Sequence, residues 1–407
     1  MARRGGGRRS KLAERSAPLE DNQKPIQAGE MGGQFKPFTE NDVTDVIQNI
    51  YRILEEIGFS QATPHCIETC LAYGAKLGDD GRLRMPKEIV DRAINESERN
   101  LILFGQDPKH DLHVNGSRVY FATGGAAVMI ANPEDKSYRD STAQDLYNMA
   151  RIVDTCENIH LFQRTCVLRD IEDNYAMDLN TTYNSVMGTS KHVGASWTDK
   201  DHLEKTLKML HMIAGGEEQW RERPFVSQSN CFVVPPMKFA EESLECLRIA
   251  VEGGMPVLLL SAGQAGANII YESAGMYASL LSACPESILL DNDSLGACMR
   301  MVKGLPVNKK TLGFDVIKDV CLNSKGHYLG SDQTLDVMQS EYIYPDFYNR
   351  LSPGEWLDAG KPEALKLAVN KTKEILSNYF PKHISDEIDD EIRKTFPIHL
   401  KKSDIGR

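Results

Sequence analysis

The pattern of hydrophobic residues along the chain changes near residue 140. Before that point, apolar residues recur at helical spacing over 43–57. Thr39 and Asp42 stand three residues apart, as in a capping box, and Gly58 is a stop signal, so an amphipathic helix is predicted between them. Further helices are predicted over 66–73 and 86–97, and strands over 101–104, 112–114 and 119–121. We interpret residues 37–140 as an N-terminal α+β extension.

Beyond residue 140, strand patterns alternate with helix patterns. Strands are predicted over 161–168, 193–197, 224–234 and 257–261, and helices over 142–156, 198–213 and 237–251. The strands are apolar through the middle, which is typical of parallel strands that are covered on both faces. A parallel barrel-like domain is therefore predicted over 141–350. Its last elements are strands at 269–272 and 287–290 and helices at 276–284, 293–303 and 311–321. C-terminal helices, including one over 363–379, and a tail are predicted over 351–407.

One junction breaks this alternation. The strand that ends near Ala262 and the strand that begins near Ile269 are separated by only about six residues, Gly263 to Asn268. A parallel crossover needs about 10–12 residues, including its helix. Either these two strands are antiparallel, or a segment that belongs here is missing.

Composition and charge narrow the class of protein. The chain has 407 residues, of which 41% are hydrophobic and 26% charged, as in soluble globular proteins. It has no apolar run near the ~20 residues that span a bilayer, so no membrane partner is expected. The net charge is −11. Nine cysteines without a CxxC pair favour reduced thiols and a cytoplasmic location.

The charge is unevenly distributed. Arginine and lysine dominate the first sixteen residues, whereas the rest of the chain is strongly acidic. An acidic body is a poor binder of polyanions, so nucleic acid is not an expected partner. The segment 1–36 is rich in glycine and arginine and is predicted to be a disordered basic leader.

Chemistry in α/β proteins lies at the carboxyl ends of the strands. Here those ends carry small, amide-bearing and aromatic side chains and few titratable groups, at 164–166, 196–198, 228–230, 261–264 and 271–273. This composition suits a weakly charged ligand over the mouth of a barrel. It does not suit a hydrolytic metal centre, which needs several histidine or carboxylate ligands. No bound metal of its own is therefore predicted.

Four residues at these ends are candidate substrate contacts. Trp197 and Tyr271 are predicted to form part of an aromatic cage for a quaternary ammonium, with core or rim packing as the alternative. Asn230 ends the neighbouring strand. If the Glu272 carboxylate is buried, its burial is energetically unfavourable unless a cation pairs with it. A cationic substrate or an arginine side chain could be that cation.

Three further side chains allow two interpretations each. Lys191 is either a Schiff-base lysine or a solvated lysine at the amino end of a strand. His192 and His327 are either functional, as general acids or as side chains that pack against a ligand, or structural histidines. A glycine-bearing loop at 261–266 is compatible with an enzyme that binds a nucleotide or S-adenosylmethionine. Such a loop is normally followed by a helix, whereas here a strand-like segment follows it.

Several motifs resemble those of one known family. They are Thr123–Ala127, Tyr138–Thr142, Gly263–Ala267, Tyr271–Met276, Gly326–Gly330 and the closing segment Phe396–Ile398. Over residues 35–400 the chain resembles the trimethylamine methyltransferase family, in its branch without pyrrolysine. The resemblance implies a TIM barrel that transfers a methyl group from a methylated amine or betaine to cobalt. That cobalt belongs to a cobalamin-type corrinoid carried by a separate partner protein.

The resemblance also sets expectations for the site and the junction. It implies that Gly263, Gln264 and His327 contact the corrinoid, and it identifies no catalytic residue. Aligned with the family, about two βα units, of roughly 30 residues or more each, are absent between Ala267 and Asn268. We therefore expect a TIM-barrel-like barrel that lacks these units. Its open strand edge predicts a homo-oligomer and low activity. A non-catalytic relative that acts as a binding protein is the alternative.

Overall fold

A computed structural model describes residues 24–33, 39–257, 268–304, 311, 313–323, 328 and 331–407. The fold is mixed α/β, with several parallel strand pairs. Among the described residues, no helix is long and apolar enough to cross a membrane.

The N-terminal part is built from short helices and hairpins, as predicted. The first helix begins with the expected capping box: the Thr39 hydroxyl accepts from the Asp42 N–H, and the Asp42 carboxylate accepts from the Thr39 N–H. It ends in a π turn, Ile53–Ile57, before Gly58, whose φ is 64°. The elements are β1 (Glu30–Met31), α1 (Glu40–Arg52), α2 (Pro64–Tyr73), β2 (Lys76–Leu77), β3 (Leu83–Arg84), α3 (Lys87–Glu96), β4 (Leu101–Leu103) and β5 (Leu112–Val114).

A curved parallel sheet lies at the centre of the molecule. Its strands are β6 (Arg118–Phe121), β9 (Leu161–Gln163), β10 (His192–Ala195), β11 (Val226–Gln228) and β14 (Ile269–Ile270). β10 pairs in parallel with β9 and β11, and β14 pairs in parallel with β6. Single parallel bridges join Ala122 to Leu161 and Gln228 to Val257. A short antiparallel hairpin, β12 (Val233–Val234) and β13 (Lys238–Phe239), follows β11. The predicted parallel pairing is confirmed, but in the described part of the chain the sheet does not close into a barrel.

The residues on either side of the short junction lie at opposite ends of this sheet. Val257 bridges to Gln228, whereas Ile269 pairs with Tyr120. Antiparallel pairing of these two strands, one of the two alternatives for the junction, is therefore not found among the described residues. Ile270 is 40% exposed beside this edge. The rest of the predicted 257–261 strand lies outside the described residues.

β6 links the N-terminal part to the sheet. Its residues fall inside the predicted 37–140 extension, yet they pair with β14 and continue into the bridge to β9. β1 adds antiparallel to the same strand, so residues 30–31, within the segment 1–36 that was predicted to be disordered, form a strand. The domain boundaries proposed from the sequence remain predictions, and this strand shows that the extension contributes to the central sheet.

Helices cover the outside of the sheet, and two of them, over 174–188 and 217–222, were not predicted. They are α4 (Ala143–Asp154), α5 (Asn174–Gly188), α6 (Lys200–Ala214), α7 (Glu217–Glu222) and α8 (Glu241–Glu252). α5 was missed because it buries polar side chains on most of its surface. Asn180 Nδ2 donates to the Ala176 and Pro397 carbonyls, both at 2.8 Å, and Asn184 Nδ2 donates to the Ala143 carbonyl at 3.0 Å. These partners lie on other segments as well as in α5 itself, so the sequence pattern does not reveal them.

Two predicted elements near residue 280 are wrong. The predicted helix over 276–284 is a hairpin of β15 (Met276–Tyr277) and β16 (Ser282–Ala283), with a left-handed backbone at Ala278, Ser279 and Leu280. The hairpin continues into the antiparallel pair β7 (Met129–Asn132) and β8 (Ser137–Asp140), since β16 pairs with β7. The predicted strand over 287–290 lies inside the helix α9 (Pro285–Lys303), because its apolar residues form one buried helical face.

The C-terminal part is helical, as predicted. The predicted helix over 363–379 is confirmed. The elements are α10 (Phe314–Asn323), α11 (Asp332–Ser340), α12 (Pro353–Asp358), α13 (Ala364–Asn378) and α14 (Asp386–Thr395).

Candidate functional site

A cavity of about 330 Å³ lies at the carboxyl ends of the parallel strands. It is lined by the segments that follow β6, β9, β10, β11 and β14. All four candidate substrate contacts, Trp197, Asn230, Tyr271 and Glu272, line it. The structure therefore brings these residues together, although their roles remain a proposal.

Tyr271 and Glu272 enter the wall directly after β14. The Tyr271 hydroxyl lies 3.3 Å from the Ser229 hydroxyl, and burial raises the pKa of this phenol to about 12, so it is neutral at physiological pH. Glu272 is exposed and has a left-handed φ of 56°. Its N–H donates to the Thr123 carbonyl at 3.4 Å.

Gly124 and Gly125 allow the segment after β6 to approach its neighbours. A Cβ at position 124 would lie 2.7 Å from the Glu272 Cβ and closer still to its Cα. A Cβ at position 125 would overlap the Arg164 carbonyl oxygen. Ala126 adopts φ 69°, so two non-glycine residues in this wall, Ala126 and Glu272, have left-handed backbones. Such strain is concentrated at functional sites.

Trp197 is packed differently from the predicted cage. Its side chain is buried at 3% exposure, and its indole N–H donates to the Thr206 hydroxyl of α6 at 3.2 Å. The polar edge of the indole therefore faces the helix layer. This contact supports the alternative interpretation, core packing, and leaves Tyr271 as the better candidate for contact with a cation.

The Asn230 side chain connects the cavity wall to the helix behind it. Its Nδ2 donates to the Trp197 carbonyl at 3.4 Å and to the Ser243 hydroxyl of α8 at 3.3 Å. Its Oδ1 is buried without a hydrogen-bond partner in the described part of the chain. Gln163 Oε1 is in the same condition. The wall thus contains buried acceptors that a ligand could satisfy.

Arg164 lines the cavity and was not a predicted site residue. In the described ranges no carboxylate oxygen lies within 4 Å of its guanidinium, and no hydrogen bond from its side chain is found. Burial lowers its pKa, and the charge of Asp178 opposes that effect. The position of Arg164 at the end of a predicted strand was the sequence feature that could have identified it as a site residue.

Asp178 supports the wall from α5. It is fully buried, and its Oδ2 accepts from the Thr198 N–H at 2.9 Å, the Thr198 hydroxyl at 2.7 Å and His202 Nδ1 at 2.8 Å. The helix predicted over 198–213 begins at Lys200, and Asp199 is its N-cap. Because α5 was not predicted, this carboxylate could not be placed from the sequence.

Lys191 and His192 lie at the amino end of β10, away from the cavity. Lys191 is buried, and its Nζ donates to the Val153 carbonyl at 2.7 Å and the Ile159 carbonyl at 2.6 Å, and also to the Cys156 carbonyl. It is neither solvated nor free to form a Schiff base, since it caps the end of α4. Burial lowers the pKa of His192 to about 4, so the ring is neutral, in agreement with a structural role.

The predicted corrinoid contacts Gly263, Gln264 and His327 lie outside the described residues, as does the glycine-bearing loop at 261–266. The segment that follows this loop is the strand β14, and no helix begins there. In the described ranges, no group of three or more histidine, cysteine, aspartate or glutamate side chains is placed to hold a metal ion. The absence of a resident metal remains a prediction.

The chain is similar to several known methyltransferases. Trimethylamine methyltransferase MttB of Desulfitobacterium hafniense is 29% identical over 241 residues, 58% of this chain and 48% of that protein. The chain therefore spans about half the length of this relative. Glycine betaine methyltransferase of the same species is 20% identical over 90% of this chain and 97% of its own. Trimethylamine methyltransferase MttB1 of Methanosarcina mazei is 21% identical over 92% of this chain.

These matches also bear on the short junction. The match to glycine betaine methyltransferase runs over 473 positions, whereas 90% of this 407-residue chain is about 366 residues, so about 107 positions have no counterpart here. The family model for trimethylamine methyltransferases matches in two parts, residues 4–268 and 258–406, which meet at the junction. Since the two parts together cover almost the whole sequence, the chain belongs to the trimethylamine methyltransferase family.

Proposed function

We propose that this protein transfers a methyl group from a methylated amine or betaine to the cobalt of a corrinoid carried by a partner protein. Its relatives are methyltransferases for trimethylamine and glycine betaine. The observation that carries the proposal is the cavity in which Tyr271 and Glu272 stand side by side. An aromatic ring and a carboxylate are the groups that favour a quaternary ammonium over an anion.

The proposed reaction requires little acid–base catalysis by the residues of this chain. The carbon–nitrogen bond breaks, the electron pair stays on the departing amine, and the methyl group is taken by the reduced cobalt of the partner, which supplies the electron pair of the new bond. When a methyl group leaves a quaternary nitrogen, the amine departs as a neutral molecule and does not need to be protonated. We therefore assign no catalytic acid. The residues of the cavity bind the cation, orient one methyl group toward the opening and exclude water.

The remaining proposals concern the assembly. We propose that Gly263, Gln264 and His327 face the corrinoid partner, and that the chain forms homo-oligomers through the open edge of its sheet. Ile270 beside that edge is 40% exposed, which supports association, because an exposed strand edge with apolar side chains pairs readily with other chains. Size-exclusion chromatography with light scattering measures this directly, and a monomer at micromolar concentration would contradict it.

A methyl-transfer assay tests the proposed function. The purified chain is mixed with reduced corrinoid protein and, in separate reactions, trimethylamine, glycine betaine and proline betaine. We expect the methyl–cobalt spectrum to appear with at least one substrate, and only when both proteins are present. S-adenosylmethionine in place of the corrinoid protein is the control for the nucleotide-binding alternative. A folded chain that binds a methylated amine but never forms methyl–cobalt would instead be a non-catalytic relative.

A further inference from the structure

We infer that Cys66 and Cys70 of α2 form a reversible oxidation site, at which a small peroxide oxidises Cys70 and the Cys66 thiol then closes a disulfide within the helix. Neither cysteine lines the cavity at the strand ends. The inference goes beyond methyl transfer and does not depend on it.

The first argument is the spacing of the two cysteines. They are four residues apart in α2, so their side chains lie on the same face of the helix. Among the nine cysteines of the chain, this spacing occurs once. The Cα atoms of such a helical pair are about 6 Å apart, within the range that a disulfide bridges. Their Cβ atoms are about 5–6 Å apart, against about 3.5–4.5 Å in a disulfide, so closure requires a movement of about 1–2 Å.

The second argument is that α2 can make this movement at low cost. The helix has only ten residues, and none of them is buried. It ends at Gly74, whose φ is 108°, so Cys70 lies in its last turn. A local change in that turn disrupts little packing. A disulfide closed in this way is strained, and strained disulfides are the ones that are readily reduced again.

The third argument is the difference in reactivity between the two thiols. A hydrogen bond from the Cys66 thiol lowers the pKa of Cys70 to about 7, although burial opposes this effect. The same hydrogen bond raises the pKa of Cys66, which therefore keeps its proton. Both side chains are partly exposed, so a small oxidant reaches them. An accessible thiolate beside a second thiol is the arrangement found in redox-sensing cysteines.

The other cysteines whose side chains the structure describes lack this combination. Burial raises the thiol pKa of four buried ones, Cys156, Cys166, Cys246 and Cys284. Cys231 and Cys298 are exposed, but neither has a second cysteine one helical turn away in the sequence. Exposure and a thiol on the same helix face therefore coincide at one place in the described part of the chain.

The chemistry balances with hydrogen peroxide as the oxidant. The Cys70 thiolate attacks one peroxide oxygen, the O–O bond breaks and hydroxide leaves, which gives a sulfenic acid at Cys70. The Cys66 sulfur then attacks the Cys70 sulfur, the S–O bond breaks, and the departing oxygen takes the Cys66 proton and leaves as water. The hydroxide takes up the proton that the Cys70 thiol had released. In sum, two thiols lose two electrons and two protons, and one hydrogen peroxide becomes two waters.

Peptide mass spectrometry of the full chain tests this inference. The reduced protein is treated with hydrogen peroxide, with and without dimedone, which traps sulfenic acids, and the remaining thiols are then alkylated. The variants are Cys66→Ser and Cys70→Ser, and Cys298→Ser at an exposed position of α9 is the matched control. Thermal melts establish that each variant is folded.

We expect the wild-type protein to give a peptide in which Cys66 and Cys70 are joined, and dithiothreitol should restore both thiols. Cys66→Ser should instead accumulate the dimedone adduct of Cys70, because the second thiol is missing. Cys70→Ser should leave Cys66 reduced, and Cys298→Ser should form the disulfide as the wild type does.

The pH dependence of alkylation is an independent readout. Iodoacetamide should alkylate wild-type Cys70 with a half-maximal rate near pH 7. Cys66→Ala removes the hydrogen-bond donor and should move this midpoint toward the ordinary thiol value of about 8.5. A merely structural role of the two cysteines would not produce this shift.

Three results would each overturn the inference: oxidation of Cys231 or Cys298 before Cys70, a disulfide between two chains in place of one within α2, or a Cys70 sulfenic acid that persists although Cys66 is present. An alkylation midpoint that Cys66→Ala leaves unchanged would do the same. None of these measurements uses corrinoid or a methylated amine, so failure of the proposed methyl transfer would not alter them.

Discussion

Gly124 lies against Glu272 so closely that a side chain at position 124 has no room. A Cβ there would stand 2.7 Å from the Glu272 Cβ. The contact joins the segment after β6 to the segment after β14, two walls of the cavity that are about 150 residues apart in sequence. The shape of the cavity therefore depends on a residue that contributes through its lack of a side chain.

We expect Gly124→Ala to displace Glu272 and to destabilise the protein by about 1–3 kcal/mol, as overpacking does in other cores. Ligand affinity should fall with it, because the carboxylate moves. Urea unfolding and calorimetry measure the two effects. Gly354→Ala is the matched control, since a Cβ at that position meets no atom within 4 Å and should change stability by less than about 1 kcal/mol. A Gly124→Ala variant with unchanged stability and affinity would contradict the close approach.

Trp197→Ala should act mainly on stability. The side chain is buried at 3% exposure and its indole N–H is bonded to Thr206, so truncation leaves a cavity that costs about 3–5 kcal/mol. Trp197→Phe, which keeps most of the volume and loses the hydrogen bond, should cost much less. Urea unfolding of both variants checks this order. A large loss of ligand affinity in a stable Trp197→Phe variant would instead return Trp197 to the binding site.

Tyr271→Ala should act mainly on binding. Loss of its ring removes the aromatic contact with a methylated cation, worth about 1–2 kcal/mol, or roughly 5- to 30-fold in affinity. Tyr271→Phe keeps the ring and loses only the 3.3 Å contact with the Ser229 hydroxyl, so affinity should change by less than about 3-fold. Calorimetry with glycine betaine measures both. Equal effects of the two variants would show that the hydroxyl, and not the ring, contacts the ligand.

Lys191→Met should destabilise the protein by roughly 2–4 kcal/mol. Its ammonium donates to three backbone carbonyls at and beyond the end of α4, and methionine leaves those buried acceptors without a partner. Lys200→Met is the control, because that side chain is 44% exposed. The two variants are compared by urea unfolding. Equal stability of the two would mean that the carbonyls find other donors.

The stability of the protein should fall as the pH is lowered from about 6.5 toward 4. Burial lowers the pKa of His160 to about 3 and that of His110 to about 4. His160 Nδ1 accepts from the Phe121 N–H at 2.9 Å, which requires a neutral ring. In this range the unfolded chain takes up protons that the folded chain does not, so the free energy of unfolding decreases by about 1.4 kcal/mol per pH unit for each such histidine.

Urea unfolding at pH 7.0 and 5.0 measures that dependence, and His160→Asn should make it shallower by about one proton, since the asparagine carbonyl keeps an acceptor that does not titrate. His65→Asn, at an exposed position on α2, should leave the dependence unchanged. The same slope in His160→Asn as in the wild type would show that His160 is protonated in the folded protein.

Insertion of the corresponding segment of glycine betaine methyltransferase between Ala267 and Asn268 should raise methyl transfer and solubility together. The insert supplies the βα units that we expect to be absent, and it should cover the strand edge that we expect to be open without them. Methyl–cobalt formation and light scattering are the measurements, with an equally long glycine–serine insert as the control. A wild-type chain that is already monomeric and as active as its longer relative would contradict this account of the junction.

Local sequence signals were sufficient for the elements that depend on local interactions. The capping boxes Thr39–Asp42 and Thr142–Asp145 start helices where predicted, because the partners are three residues apart. The apolar strand centres led to the prediction of parallel pairing, since only strands covered on both faces are apolar throughout. Four of the predicted strand ends, at 164–166, 196–198, 228–230 and 271–273, contribute to one cavity, because parallel strands end at the same edge of a sheet, whereas the lining segment 124–126 was not predicted.

Tertiary structure decided what depends on partners far away in the chain. α5 forms although its buried face is polar, because a carbonyl near the C-terminus, that of Pro397, accepts from Asn180. Trp197 faces α6 because Thr206 offers an acceptor there. Arg164 stands without a partner within the described residues because Glu272, on the same cavity, lies beyond ion-pair distance. Periodicity and residue type contain no information on such distances, which arise only when the chain is folded.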